Sequence, residues 1–159
     1  MTSPQTQADA PRTVRAVFGM PAYNRPDMLA CTLESLLSQT CRDFAIVITD
    51  DRPTPEVAAI VAAYVALGAP ITYQPNPVRL GMIGNWRMAF ARSRELHPES
   101  EYFAWVSDHD TWHPRWLETL MAALDVDPGV VMAYPQILRV FPRHRRRVGC
   151  ARQQWRVGP

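Results

Sequence analysis

Two acidic clusters in this sequence could carry chemistry. Asp50-Asp51 follows the β-prone run 44–49, and Ser107-Asp108-His109-Asp110 follows the apolar run 102–106. Crowded carboxylates disfavour one another's charge unless something neutralises them. A hard divalent cation does this, and oxygen ligands suit Mg²⁺ or Mn²⁺. A lone Asp after a strand also serves as a turn former or helix cap, so Asp50 and Asp51 taken singly are ambiguous. Three consecutive titratable residues framed by Trp105 and Trp112 are harder to explain as a turn. The expectation is a metal–phosphate site at Asp108 and Asp110.

All 17 basic residues are Arg, so chemistry that needs a lysine is excluded. A receiver domain pairs its acidic cluster with a Lys. A haloacid-dehalogenase-type phosphatase places DxDx[TV] after its first strand and also uses a Lys; here the acidic cluster is late and Trp112 takes the last motif position. The P-loop pattern GxxxxGK[ST] is absent. Gly81-Met82-Ile83-Gly84 is not GxGxxG, so a dinucleotide site has no support.

The elements that would position these clusters alternate. Val14–Met20 reads as a buried strand ending at Pro21. After Asn24-Arg25-Pro26-Asp27, Leu29, Leu33, Leu36 and Leu37 form a helical stripe that stops near Gln39-Thr40. Phe44–Thr49 reads as a second strand. Thr54-Pro55 is a cap and first-turn pair, opening a helix with Val57, Ile60, Val61, Tyr64 and Val65 on one stripe and Gly68 at its close. Ile71–Tyr73 is a short third strand. A helix from Gly81 or Met82 is expected to set Met82, Trp86, Ala89 and Phe90 on one face. Tyr102–Val106 is a fourth strand, and Pro114 opens a helix carrying Leu117, Leu120, Met121 and Leu124. After the turn Asp127-Pro128-Gly129, Val130–Tyr134 reads as a fifth strand. The order βαβαβαβαβ predicts an α/β domain with a mostly parallel sheet and helices on both faces. In such sheets ligands bind outside the carboxyl ends of the strands, where both acidic clusters fall.

The chain has 159 residues, 47% hydrophobic and 20% charged, which suits one globular domain. Residues 1–12 read as a loose tail without a secretory pattern, 13–138 as the domain, and 139–159 as a separate Arg-rich segment. That last segment holds seven Arg and no acid, whereas the rest holds ten Arg against fifteen acids. A solvated tail is the simpler reading of it, with contact to nucleic acid or anionic lipid as the alternative. Cys31, Cys41 and Cys150 show no CxxC and signal neither a disulfide framework nor a zinc cage, so reduced thiols in a cytoplasmic protein are expected. No apolar run approaches the roughly 18 residues of a membrane span. Among the tryptophans 86, 105, 112 and 116, packing is the expected role, and only Trp112 is a candidate sugar platform.

Several segments together resemble the family 2 glycosyltransferases. Met20-Pro21-Ala22-Tyr23-Asn24-Arg25-Pro26 is similar to the family's opening strand and loop. Leu33-Glu34-Ser35-Leu36-Leu37-Ser38-Gln39-Thr40 resembles its L-x-S-L-L-x-Q-T helix. Asp43-Phe44 with Ile46-Val47-Ile48 and Asp50-Asp51 resembles its second strand. Asn76-Pro77, Leu80-Gly81 and Asn85 resemble its N-x-G…N-x-A segment, and Trp105–Asp110 with Pro114 stands where the family carries its DxD motif. The likeness spans about residues 13–138.

The resemblance implies a GT-A fold, a Rossmann-like three-layer α/β/α sandwich. It implies metal-assisted, inverting transfer of a sugar from a UDP-, GDP- or dTDP-linked donor to an acceptor that the sequence does not identify. Pro21, Ala22 and Tyr23 would surround the base and ribose. Asp51 would accept a hydrogen bond from the base, with Asp50 its less certain partner, and Asn85 would stand with the nucleotide-binding residues. Asp108 and Asp110 would hold Mn²⁺ or Mg²⁺ and the ribose–diphosphate, with His109 a further ligand through its neutral ring. No nucleic acid partner is implied, and the location is cytoplasmic or peripheral to the membrane. Two departures bear on this. Many members read D-x-D-D, so Ser107 and His109 replace two acids and only Asp110 keeps register. The catalytic base normally lies in a later acceptor-binding segment, which residues 139–159 do not resemble; a truncated enzyme without its base is therefore expected. The alternative is a non-catalytic nucleotide-sugar-binding module. A nucleotidyltransferase ranks last, because Pro21–Asn24 is not a Gly-rich, basic loop.

Overall fold

The computed structural model describes residues 13–137. In chain order these form β1 (Ala16–Ala22), α1 (Pro26–Leu37), β2 (Phe44–Asp50), α2 (Pro55–Ala66), β3 (Ile71–Pro75), α3 (Gly81–Leu96), β4 (Tyr102–Trp105) and α4 (Trp116–Asp125). The four strands pair in parallel in the order β3-β2-β1-β4. Ala22 is opposite Asp50, and Asp50 opposite Pro75, so three strands end in line and release their loops at one edge of the sheet.

Side chains alternate across the pleat and build two cores. Ala16, Phe18, Met20 and Ala22 of β1 join Phe44, Ile46 and Ile48 of β2 on one face, covered by Leu29, Leu33 and Leu36 of α1, Val57 and Val61 of α2, and Leu117 and Met121 of α4. Val17, Ala45 and Val47 point the other way with Val14, and Leu96 of α3 packs against them. The result is the expected three-layer α/β/α sandwich, with α3 the one helix on its face among the described residues.

Three expectations need correction. Buried on α3 are Asn85, Ala89 and Ser93, whereas Met82, Trp86 and Phe90 are exposed. The reason is close approach. A Cβ at Gly19 would lie 2.7 Å from the Phe103 ring and 3.4 Å from the Ala89 carbonyl carbon, so α3 sits on β1 through small residues. Second, 130–134 forms no strand among the described residues. Its apolar side chains, Val131, Met132 and Tyr134 among them, are solvent-exposed, and the described sheet of four strands does not include it. Third, Cys41 is a free thiol, but Cys31 is disulfide-bonded, against the expectation of reduced thiols. The expected tails, residues 1–12 and 139–159, lie outside the described residues, as does Cys150. No helix among the described residues is long and apolar enough to cross a membrane.

Candidate functional site

The loops leaving β1, β2, β3 and β4 enclose a cavity of about 350 Å³. Pro21, Tyr23 and Arg25 come from the end of β1 and the loop after it. Asp51 follows β2, Arg79 precedes α3, and Gly81, Met82, Asn85 and Trp86 belong to its first turns. Ser107, Asp108 and His109 follow β4. The two acidic segments therefore contribute to a single concave site.

Asn24 takes the left-handed conformation at φ 52°, which Asn tolerates better than most residues. It turns the chain from β1 into Pro26 at the start of α1 and leaves Tyr23 and Arg25 at the cavity. The Tyr23 ring carries the Arg79 guanidinium at 5.1 Å, a cation–π contact that joins two loops. The Tyr23 N–H donates to Asp108 Oδ2 at 2.8 Å.

Asp51 is buried and holds the start of α3. That helix has no side-chain cap of its own. The N–H groups of Leu80 and Gly81 instead donate to Asp51 Oδ1 at 2.6 Å and Oδ2 at 2.8 Å, and Asn76 Nδ2 donates to Oδ1 at 3.1 Å. Burial pushes the Asp51 carboxyl up, but the donors from Leu80, Asn76 and Gly81, together with the Arg79 charge, outweigh it and hold the group below its ordinary range. Oδ2, with one donor, keeps a lone pair for a ligand.

Asp50 sits differently. It is fully buried, does not line the cavity, and accepts from the Tyr73 hydroxyl at 2.8 Å and the Arg52 N–H at 2.9 Å. Burial and the Asp50 carboxylate together push the Tyr73 hydroxyl well above the usual phenol range. Ala22 is likewise a buried strand end rather than a lining residue. Asn85 does line the cavity, but both of its N–H hydrogens go to protein carbonyls.

In the segment after β4, His109 Nδ1 pairs with Asp108 Oδ1 at 2.8 Å and the Ser107 hydroxyl donates to Asp110 Oδ2 at 2.6 Å. Asp108 is buried, while His109 and Asp110 are exposed. Among the described residues, no group of three or more His, Cys, Asp or Glu side chains converges to hold a metal ion. Asp108 lines the cavity and Asp110 does not, so a cation held there would take one or two carboxylates and complete its shell with phosphate and water, as Mg²⁺ does.

The segment is fixed from α1. The Thr32 hydroxyl donates to the Asp110 carbonyl at 2.8 Å, Ser35 Oγ accepts from the Trp112 N–H at 3.2 Å, and Gln39 Nε2 donates to the His113 carbonyl at 2.9 Å. Gln39 Oε1 accepts from the Leu117 N–H at 2.9 Å and so caps α4, which has no cap of its own. The polar positions of the S-L-L-x-Q-T run thus position the acidic loop. Trp112 packs on Trp116 at 5.8 Å against the core and does not line the cavity. Trp86 packs on Trp105 at 5.9 Å, as expected, and its exposed part also lines the cavity. Arg25 and Arg79 were not singled out from the sequence. Their signal was available: each is an Arg in a loop leaving a strand end, in a chain that has no Lys.

The family model described as Glycosyl transferase family 2 matches residues 18–154. Among solved structures, S. aureus TarS superposes with a TM-score of 0.60 at 24% identity, covering 70% of this chain and 19% of that one. S. aureus TarS 1-349 in complex with UDP-GlcNAc gives 0.62 at 21% identity, covering 76% and 36%. The mannosyltransferase PcManGT from Pyrobaculum calidifontis, in complex with GDP-Man and Mn²⁺, gives 0.62 at 20% identity, covering 80% and 37%. The chain thus spans less than two-fifths of the length of these relatives, and at these identities the likeness establishes the GT-A fold.

Proposed function

Since this chain belongs to glycosyl transferase family 2, we propose that its strand-end cavity binds a nucleoside-diphosphate sugar and forms the donor half of a sugar-transfer site. The observation that carries this is the meeting of Tyr23, Asp51 and Arg79 with Asp108 and His109 around one cavity. The complexes of its structural relatives with UDP-GlcNAc and with GDP-Man support the same class of ligand.

In this reading Pro21 and Tyr23 flank the base and ribose. Asp51 accepts an N–H from the base at the free lone pair of Oδ2. Arg25 and Arg79 supply the positive charge that the diphosphate requires in a chain without lysine. Asp108 and Asp110 would hold Mn²⁺ or Mg²⁺, and His109 would offer Nε2, because its Nδ1 is committed to Asp108. The bound cation would act as a Lewis acid on the diphosphate leaving group. Transfer breaks the bond between the anomeric carbon and the diphosphate oxygen, which keeps the electron pair. An acceptor hydroxyl forms the new bond from the opposite side, inverting the centre and giving up its proton to a general base.

Calorimetric titration of the 159-residue chain with UDP-, GDP- and dTDP-sugars, each with Mn²⁺ and with EDTA, tests the proposal. One donor is expected to bind, and to bind at least about tenfold more weakly in EDTA, since the cation supplies charge that the protein alone does not. Binding of none of the three would refute it.

A further inference from the structure

We propose that Asn76 and Asn85 are positioning residues of this site, a side-chain relay that sets Asp51 against the Ala22–Tyr23 end of β1. The inference rests on the donor-site reading and names residues that act through others. Asn85 lies buried on the inner face of α3. Its Nδ2 donates to the Ala22 carbonyl and to the Thr49 carbonyl, each at 3.1 Å, and its Oδ1 accepts from Asn76 Nδ2 at 2.9 Å. The second Asn76 hydrogen goes to Asp51 Oδ1 at 3.1 Å.

A side-chain amide has two N–H hydrogens, so each Asn has spent every side-chain donor on protein. Asn85 therefore touches the cavity with no donor to offer a ligand. Two carbonyls, which only accept, fix which end of the Asn85 amide is nitrogen. An Asp there would face both carbonyls with no hydrogen, and a Leu would take this partner from the Thr49 carbonyl and from one Asn76 hydrogen, while the Ala22 carbonyl kept the Asp51 N–H.

Backbone bonds close the ring. The Asp51 N–H donates to the Ala22 carbonyl at 3.0 Å and the Asn76 N–H to the Asp50 carbonyl at 2.8 Å. The next residue after Ala22 is Tyr23, whose N–H holds Asp108. One bonded path therefore runs from Asp51 through Asn76, Asn85 and Ala22–Tyr23 to Asp108. It joins the half of the cavity assigned to the base with the half assigned to the diphosphate. The relay holds four separate elements, the ends of β1 and β2, the loop before α3, and α3 itself, at one spacing.

The test titrates UDP, GDP and dTDP with Mn²⁺ into the full chain and into Asn76→Ala, Asn76→Ser, Asp51→Ala and the Asn76→Ala/Asp51→Ala double variant. The Asp51 side-chain carboxyl is followed in parallel by ¹³C NMR as pH is lowered. Asn76→Ala is expected to weaken the nucleotide that binds by about tenfold, and Asn76→Ser, which keeps one donor, by about threefold. In the Asp51→Ala background the same Asn76 change should add less than about twofold, because coupled residues are not additive. The Asp51 titration should move upward in Asn76→Ala. Equal losses in both backgrounds, or an unchanged affinity in folded Asn76→Ala, overturn the relay. Should Asn76→Ala fail to fold, Asn76→Ser decides by the same criteria. If the unaltered chain binds no nucleotide, the donor reading fails, and the Asp51 titration alone judges the relay: unmoved sinks it, moved upward sustains it.

Discussion

Gln39 is the residue whose replacement best tests how the acidic loop is held. It is fully buried and makes three hydrogen bonds, from Nε2 to the Ser35 and His113 carbonyls and to Oε1 from the Leu117 N–H. Leu117 is in the first turn of α4, where no intrahelical acceptor exists for its N–H. Gln39→Ala orphans that N–H and takes one of two donors from the His113 carbonyl, which keeps the Trp116 N–H at 2.8 Å. The unpaired N–H costs about 1–3 kcal/mol, and each of the two lost amide–carbonyl bonds about 1 kcal/mol more. Water entering the space left behind recovers part of this, so the expected loss is about 3 kcal/mol. For a domain of about 125 residues that corresponds to a fall in melting temperature of about 10 °C. Gln39→Met fills the volume but restores none of the bonds, and should still lose about 2 kcal/mol. Urea unfolding at a constant m-value measures both. A Gln39→Ala loss below about 1 kcal/mol would refute the argument that this amide caps α4 and pins the loop.

Three further outcomes are expected. Gly81 has φ +73° and nothing within 4 Å of the place a Cβ would take, so Gly81→Ala should cost about 1–2 kcal/mol from backbone strain alone, read by urea unfolding. Gly19→Val should cost more than about 2 kcal/mol, because its first carbon already meets Phe103 at 2.7 Å; a neutral result would contradict the close seating of α3 on β1. Asp51 has a depressed folded pKa, so its stabilising contribution is complete above the ordinary aspartate range and is lost as pH falls through the folded value. The stability gap between the unaltered chain and Asp51→Asn should therefore shrink on acidification below about pH 4, and a gap that widens there would contradict the assignment.

Much of the site was legible because its determinants are local. Strand ends punctuated by Pro21, Asp50-Asp51 and Ser107–Asp110 put polar residues where parallel sheets bind ligands. Thr54 was readable as a cap because its hydroxyl accepts from the Val57 N–H three residues on. The caps of α3 and α4 were not readable, since Asp51 and Gln39 reach them across 29 and 78 residues of sequence. The face of α3 is hidden from the sequence for a related reason. Hydrophobicity points to Met82, Trp86 and Phe90, whereas Gly19 and the relay around Asn85 demand small and polar residues at the contact.

The sequence by itself determined the alternation of elements, the parallel sheet and the two acidic segments, all of which follow from periodicity and short-range turn chemistry. Only the tertiary structure decided that Asp50 is a buried partner of Tyr73 while Asp51 faces the cavity. Adjacent strand-end residues point to opposite sides, and which side holds the ligand depends on α3 and on loops far away in the chain. Likewise only the fold brought Arg25 and Arg79 to the same cavity as Asp108, because that juxtaposition depends on the parallel pairing of β1 with β4 and, through β2, with β3.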